Sequence, residues 1–89
     1  MKTISILVKG KVQGVFFRKC AKDKADELNV SGVIRNLNDG SVYVEATGSD
    51  DALNSLVAWC NHGPMLAKVL SVETSQIELR EYNGFKISF

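Results

Sequence analysis

Residues 31–50 read SGVIRNLNDGSVYVEATGSD, and this stretch predicts the hairpin at the centre of the fold. Ser31 to Asn36 has the composition of a strand, and Ser41 to Thr47 alternates small apolar residues with polar or aromatic ones. Between them, Asn38-Asp39-Gly40 tolerates positive φ angles at a tight turn, which predicts a β-hairpin. Gly48 to Asp51 then supplies a turn and the N-cap of a helix.

A helix is predicted on each side of this hairpin in the sequence. Phe17 to Asn29 carries apolar residues at spacings of three and four and charged residues on its other side. The second helix has an apolar stripe from Ala52 to Cys60 and ends at His62-Gly63-Pro64. Three further segments are predicted to be extended: Thr3 to Lys11, Ala67 to Ile77, and Phe85 to Phe89.

The order of these elements is β-α-β-β-α-β followed by a short terminal strand. This order predicts an α+β fold, the ferredoxin-like split βαβ sandwich, with an antiparallel sheet and two helices on one face. Enzymes, metal chaperones, RNA binders and regulatory modules all use this plan, so the fold alone does not decide the function.

The composition bounds the class of protein. Because the chain has 89 residues, we expect one domain over residues 1–89. Its hydrophobic fraction of 45% is sufficient for a single core. A formal net charge of +1 gives no bulk attraction to nucleic acid or anionic membrane. Two cysteines cannot form a disulfide framework, and no apolar run approaches the roughly 20 residues of a membrane span. We therefore expect a cytoplasmic protein with free thiols.

A candidate anion site lies at residues 10–18, which read GKVQGVFFR. The pattern predicts a strand, a loop containing Gly14, and the start of a helix, where free backbone N–H groups and the helix dipole attract anions. Arg18 opposes the dipole in the first turn, and a bound phosphate would explain its placement, because guanidinium and phosphate pair bidentately. From the spacing alone, a surface arginine beside an ordinary glycine turn explains the pattern at least as well.

Asn36 is the second candidate. If Ile34 faces the core, strand alternation puts Asn36 on the same helix-covered side, where its amide could orient a water molecule. From the residues alone, capping of the hairpin by bonds to local backbone is the favoured explanation.

His62 is expected to bond the last carbonyls of its helix, and the sequence contains no zinc-ligand spacing or C-x-x-C pair.

The two motifs GKVQGVFFR and SGVIRNLNDGSVYVEATG together resemble the signatures of the acylphosphatase family. The resemblance continues through Trp59, His62-Gly63-Pro64 and the Gly84-Phe85 ending. It implies a ferredoxin-like fold and hydrolysis of acyl phosphates to a carboxylate and inorganic phosphate, without metal or other cofactor. Two positions, Phe16 and Val33, depart from the usual pattern without touching the key residues.

By motif position, the resemblance implies that Arg18 binds the phosphate and Asn36 orients the attacking water. It implies a phosphate-cradling loop made of Gln13, Gly14, Val15, Phe16, Phe17 and Arg18. The expected partner is a small acyl phosphate, with no nucleic acid and no membrane, and the expected state is a monomer.

The main alternative is a non-catalytic module that binds an anion or RNA. RNA-recognition domains of this plan need aromatic and basic residues on the central strands, whereas residues 42–47 offer one tyrosine and one acid. The missing C-x-x-C disfavours a metal chaperone. A regulatory small-molecule module would normally dimerise, so the size in solution separates it from the expected monomer.

Overall fold

The helices and strands follow the hydrophobic pattern of the chain, and each predicted boundary lies close to the observed one. A computed structural model describes residues 1–89. In chain order the elements are β1 Lys2–Lys11, α1 Phe17–Glu27, β2 Ser31–Asn36, β3 Val42–Gly48, α2 Asp50–Cys60, β4 Lys68–Ile77 and β5 Phe85–Ile87.

The five strands form one sheet in the order β4-β1-β3-β2-β5. The expectation of a wholly antiparallel sheet is wrong at one edge, because β5 pairs with β2 in parallel and the sheet is mixed. The cause is the route of residues 78–84. They carry the chain along one end of the sheet from the β4 edge to the β2 edge, so that β5 starts where β2 starts.

Two buried threonines hold this connection against the end of the sheet. The backbone N–H of Arg80 donates to Thr3 Oγ1 at 2.8 Å, and Thr47 Oγ1 donates to the Arg80 carbonyl at 2.7 Å. Both hydroxyls are thereby satisfied despite their burial. The connection therefore reaches β5 in a defined position, and β5 lies next to β2.

The core lies between one face of the sheet and the two helices. Its 17 buried hydrophobic residues include the predicted inward set of β1, namely Ile4, Ile6 and Val8. Helix α1 contributes Phe17, Ala21 and Ala25, and α2 contributes Leu53, Leu56 and Cys60. The rings of Phe17 and Trp59 meet with centroids 5.2 Å apart, which joins the start of α1 to the end of α2.

The helix ends agree with the local sequence. Asn29 takes a φ of 57° just after α1, as expected of an asparagine that stops a helix. The Ser49 side chain accepts from the Ala52 N–H and caps α2. His62 Nδ1 lies 3.1 Å from the Ala58 carbonyl oxygen, which confirms the terminal-carbonyl prediction. Neither helix is long and apolar enough to cross a membrane.

A polar cluster occupies the opposite face of the sheet around Glu45, whose side chain is 13% exposed. The hydroxyls of Tyr82 and Tyr43 and the guanidinium of Arg80 donate to its carboxylate. Hydrogen bonds from Tyr82, then Tyr43, hold the pKa of Glu45 below its usual range. The cluster ties the connection before β5 to the middle of β3.

Candidate active site

The loop between β1 and α1 has an unusual backbone. Gly14 and Phe16 take positive φ angles of 72° and 65°. A positive φ is rare and costly for a bulky aromatic residue, and such conformations concentrate at functional sites. Val15 and Phe17 point into the core while Phe16 points outward. The N–H groups of Gly14, Val15 and Phe16 donate to no backbone carbonyl, so they remain available to an anion.

The first turn of α1 differs from that of α2. No side chain caps α1, its first turn contains no acidic residue, and it carries Arg18 and Lys19 instead. By contrast, α2 has Ser49 as its cap and Asp50 in its first turn. The positive end of the α1 dipole is therefore uncompensated by the protein, which favours an anionic ligand there.

Gln13 fastens this loop to the β2–β3 hairpin. Its Nε2 donates to the carbonyl oxygens of Leu37 and Ser41, at 2.8 and 2.9 Å. Both N–H bonds of the side-chain amide are thus used within the protein. The side-chain N–H groups of Gln13 are therefore not free to donate to a phosphate, and they join the loop to the hairpin.

Arg18 and Asn36 line one cleft of about 360 Å³ beside the loop, together with Gly14 and Phe16. The guanidinium of Arg18 forms no ion pair with a carboxylate, and its Cζ lies 4.9 Å from the centre of the Phe89 ring. An arginine held by an aromatic ring keeps its N–H groups free for another partner. The cleft thus brings together the two residues singled out by the sequence.

Asn36 reaches the cleft because side chains alternate along β2. Ile34 is fully buried on the helix-covered face, so Asn36 lies on that face one pleat further along. Its Oδ1 is buried and has no hydrogen-bond partner. Capping of the hairpin is instead performed by Asp39, which accepts from the Ser41 N–H at 2.9 Å. A buried acceptor without a partner is costly, which favours a ligand or water at this point.

The similarity of this chain to known proteins is extensive. A family model described as Acylphosphatase matches residues 4–87. A curated acylphosphatase from Thiobacillus denitrificans is 45% identical over 86 residues, which cover 97% of this chain and 96% of that relative. The chain belongs to the acylphosphatase family. Members of this family hydrolyse acyl phosphates, so the expected class of enzyme is confirmed.

Solved structures of acylphosphatases have the same fold. One from Coxiella burnetii matches with a TM-score of 0.95 and 38% identity, covering 98% of this chain and 92% of that chain. One from Bacillus subtilis matches with a TM-score of 0.96 and 32% identity, covering 100% of both chains. The predicted ferredoxin-like α+β fold is thereby confirmed, with the parallel β2–β5 pair as the one difference.

Four residues that line this acylphosphatase-family cleft were not among the predicted site residues: Val12, Lys19, Ile87 and Phe89. Val12 and Lys19 flank the predicted loop, whereas Ile87 and Phe89 come from the far end of the chain. The last two reach it because β5 pairs with β2 so that Ile34 faces Ile87, and the Ser88 N–H donates to the Ile34 carbonyl at 2.8 Å. The alternation of Phe85, Ile87 and Phe89 predicts a shared face but does not say which strand is the neighbour.

Lys19 is the other charged residue that lines the cleft, and neither cysteine lines it. Burial raises the pKa of the Cys60 thiol to about 12. Cys20 is half-buried, and both cysteines are free. No cluster of three or more His, Cys, Asp or Glu side chains is arranged to hold a metal ion. The polar groups that line the cleft include the Arg18 guanidinium, the Lys19 ammonium group, the Asn36 carboxamide and main-chain amides.

Proposed function

We propose that this chain hydrolyses acyl phosphates to a carboxylate and inorganic phosphate, with Arg18 and the 13–18 loop binding the phosphoryl group and Asn36 orienting water. One observation carries the proposal: a free guanidinium and a buried carboxamide oxygen without a partner line the same cleft. The family assignment supplies the class of reaction.

Binding of the phosphoryl group would use three sources of positive potential. These are the guanidinium of Arg18, the loop N–H groups from Gly14 to Phe16, and the uncapped start of α1. The Gln13 amide holds the loop against the hairpin before substrate arrives, and the Arg18 guanidinium is free of internal ion pairs. Such preorganised donors stabilise charge on the transferring group without further rearrangement.

Asn36 would position the nucleophile. Its Oδ1 accepts a hydrogen bond from water, which leaves a lone pair of that water free to attack phosphorus. Because this oxygen has no partner in the protein, water does not compete with an internal hydrogen bond. Holding the two reactants in this way removes much of the entropic barrier.

The remaining steps need no further protein group. Attack of water on phosphorus breaks the bond to the acyl oxygen, and the carboxylate leaves unprotonated because its conjugate acid has a pKa of about 4. A phosphate oxygen of the substrate accepts the proton from water, which gives dihydrogen phosphate. We propose that the reaction needs no metal ion and that the protein acts as a monomer.

The proposal is tested by hydrolysis of benzoyl phosphate in excess chelator, with inorganic phosphate as the competitor. We expect turnover that the chelator does not reduce, and competitive inhibition by phosphate. Arg18→Ala should lower kcat/KM by at least about 10³-fold, because it removes the cation that offsets the phosphoryl charge. It should also abolish inhibition by phosphate.

Arg35→Ala is the matched control. Arg35 also lies over an aromatic ring, with its Cζ 5.0 Å from the centre of Tyr43, but it is exposed and does not line the cleft. It should retain kcat/KM within about threefold, since exposed side chains away from the reacting centre contribute little. Full turnover in Arg18→Ala, loss of activity in chelator, or a pH profile governed by a protein side chain would contradict the mechanism.

A further inference from the structure

A second concavity of about 600 Å³ lies beside the cleft, and we call it the apolar groove. It runs between the first turns of α1 and the segment that follows α2. Its main lining residues are Phe16, Lys19, Cys20, Pro64, Met65 and Leu66. Phe16 and Lys19 also line the cleft, so the two spaces share a wall.

The groove is lined in part by exposed apolar side chains that do not pack into the core. Phe16 is 72% exposed, Met65 97% and Leu66 63%, and they account for three of the seven large exposed hydrophobic residues. Large apolar side chains gathered on a small surface typically mark a binding site. The positive φ of Phe16 turns its ring outward between two residues that enter the core, so the backbone itself presents the ring at the shared wall.

The charges at the groove match an uncharged occupant. Its two charged lining residues, Lys19 and Asp23, form an ion pair with each other at 3.1 Å. No unpaired charge is therefore offered to an occupant, and the rest of the lining is mostly apolar. A hydrocarbon chain or an aromatic ring fits this surface better than a charged segment does.

The distribution of the lining residues between the cleft and the groove also suits the reaction. Asn36 lines only the cleft, Met65 and Leu66 line only the groove, and Phe16 and Lys19 are shared. In an in-line displacement, water and the leaving group lie on opposite sides of phosphorus. A substrate with its phosphoryl group at Arg18 would extend its acyl chain past Phe16 into a space that Asn36 does not line, which leaves the Asn36 side of the cleft to water.

We propose that the apolar groove binds the acyl chain of the substrate, so that the enzyme prefers acyl phosphates with apolar or aromatic acyl groups. This inference rests on the proposed function. Each fully buried methylene group of a ligand raises its affinity about fourfold. An open groove that covers roughly half of the acyl chain should therefore raise the affinity about twofold per methylene. From acetyl to hexanoyl phosphate, kcat/KM should rise on the order of tenfold.

The test compares kcat/KM for acetyl, butanoyl and hexanoyl phosphate in the wild type and in the double variant Met65→Ser/Leu66→Ser. The control is Leu70→Ser/Leu79→Ser, which changes two exposed leucines outside the groove. We expect the rise with chain length in the wild type and the control. In the groove variant the rise should be lost, while kcat/KM for acetyl phosphate and inhibition by inorganic phosphate stay within about twofold.

A binding measurement separates this inference from the proposed function. Dissociation constants of methylphosphonate and hexylphosphonate, measured by calorimetry, should show the same preference for the longer chain without any turnover. If acetyl phosphate is hydrolysed but neither series depends on chain length, the groove proposal is overturned and the proposed function stands. If the phosphonates show the preference but no acyl phosphate is hydrolysed, the proposed function fails and the groove remains an acyl-chain site.

Two further outcomes are distinguished by the same variants. If the wild type is a dimer, the groove variant a monomer, and chain-length dependence identical in both, the groove is an interface between copies and the proposal is overturned. If the dependence on chain length survives in the groove variant at constant molecular mass, the acyl chain binds elsewhere, which also overturns it.

Discussion

Replacing Asn36 with alanine should remove most turnover without destabilising the protein. The Oδ1 atom of Asn36 is buried and forms no hydrogen bond, so the folded protein carries a desolvated acceptor there. Removing such an atom stabilises the folded state by about 1 kcal/mol or slightly more, and the loss of the side chain's few packing contacts offsets part of this gain. The free energy of unfolding should therefore stay unchanged or rise by up to about 1 kcal/mol, which is about 4–8 °C in Tm for a domain of this size.

Catalysis should respond in the opposite direction. Without the carboxamide, water is no longer held opposite the leaving group, and loss of one oriented hydrogen-bonding group costs on the order of 10²- to 10³-fold in kcat. Because Arg18 and the loop amides are untouched, the inhibition constant of inorganic phosphate should change by less than about threefold. A variant that keeps its stability but loses turnover shows that the removed polar group serves function rather than folding.

The assays are steady-state hydrolysis of benzoyl phosphate, competition by phosphate, and urea unfolding of each variant. Asn38→Ala is the control, since Asn38 is an exposed asparagine in the adjoining turn and does not line the cleft. It should keep full turnover. The reasoning is refuted if Asn36→Ala retains more than about a tenth of the wild-type kcat, or if it loses more than about 2 kcal/mol of stability, because the side chain would then hold the hairpin.

Three further predictions concern stability and thiol chemistry. Glu45→Gln should lower the free energy of unfolding by about 1–3 kcal/mol at pH 7. Since hydrogen bonds hold the pKa of Glu45 below its unfolded value, wild type should lose this advantage as pH falls below about 4, and a constant gap in urea unfolding down to pH 2 would contradict this. Gly63→Ala should cost about 1 kcal/mol more than Gly84→Ala. Both positions have positive φ, but only at Gly63 would a Cβ meet Phe17 Cε2, at 2.8 Å, so equal losses would refute the clash. The pKa of Cys60 is raised to about 12 by burial, so a disulfide reagent at pH 8 should label one thiol in the native protein and two in urea, and rapid native labelling of both would count against this.

Much of the fold could be predicted because its signals are local. The alternation of β1, the Asn38-Asp39-Gly40 turn and the spacing in α1 each depend on residues close together in the chain, and all three appear as predicted. The direction of β5 could not be predicted in this way. It depends on the path of residues 78–84 and on the bonds of Thr3 and Thr47 to Arg80, which join residues distant in sequence.

For the site, the two motifs name Arg18 and Asn36, yet from the residues alone each also fits an ordinary turn or surface role. Their presence in one cleft comes from the packing of α1 against β2 and from the Gln13 bonds to the hairpin. The Phe89 ring beside Arg18 and the apolar groove beside the cleft depend on contacts with β5 and with the segment after α2. No local pattern contains those contacts.

The helices, the strands, the hairpin and the family could be predicted from the amino-acid sequence, because periodicity, turn chemistry and motifs each lie within a short stretch of chain. The tertiary structure decided which side chains share the cleft, which acceptor is left without a partner, and which apolar residues stay uncovered. These properties are set by burial and by neighbours far along the chain, since a hydrogen bond is missing or a surface exposed only after every other element has packed.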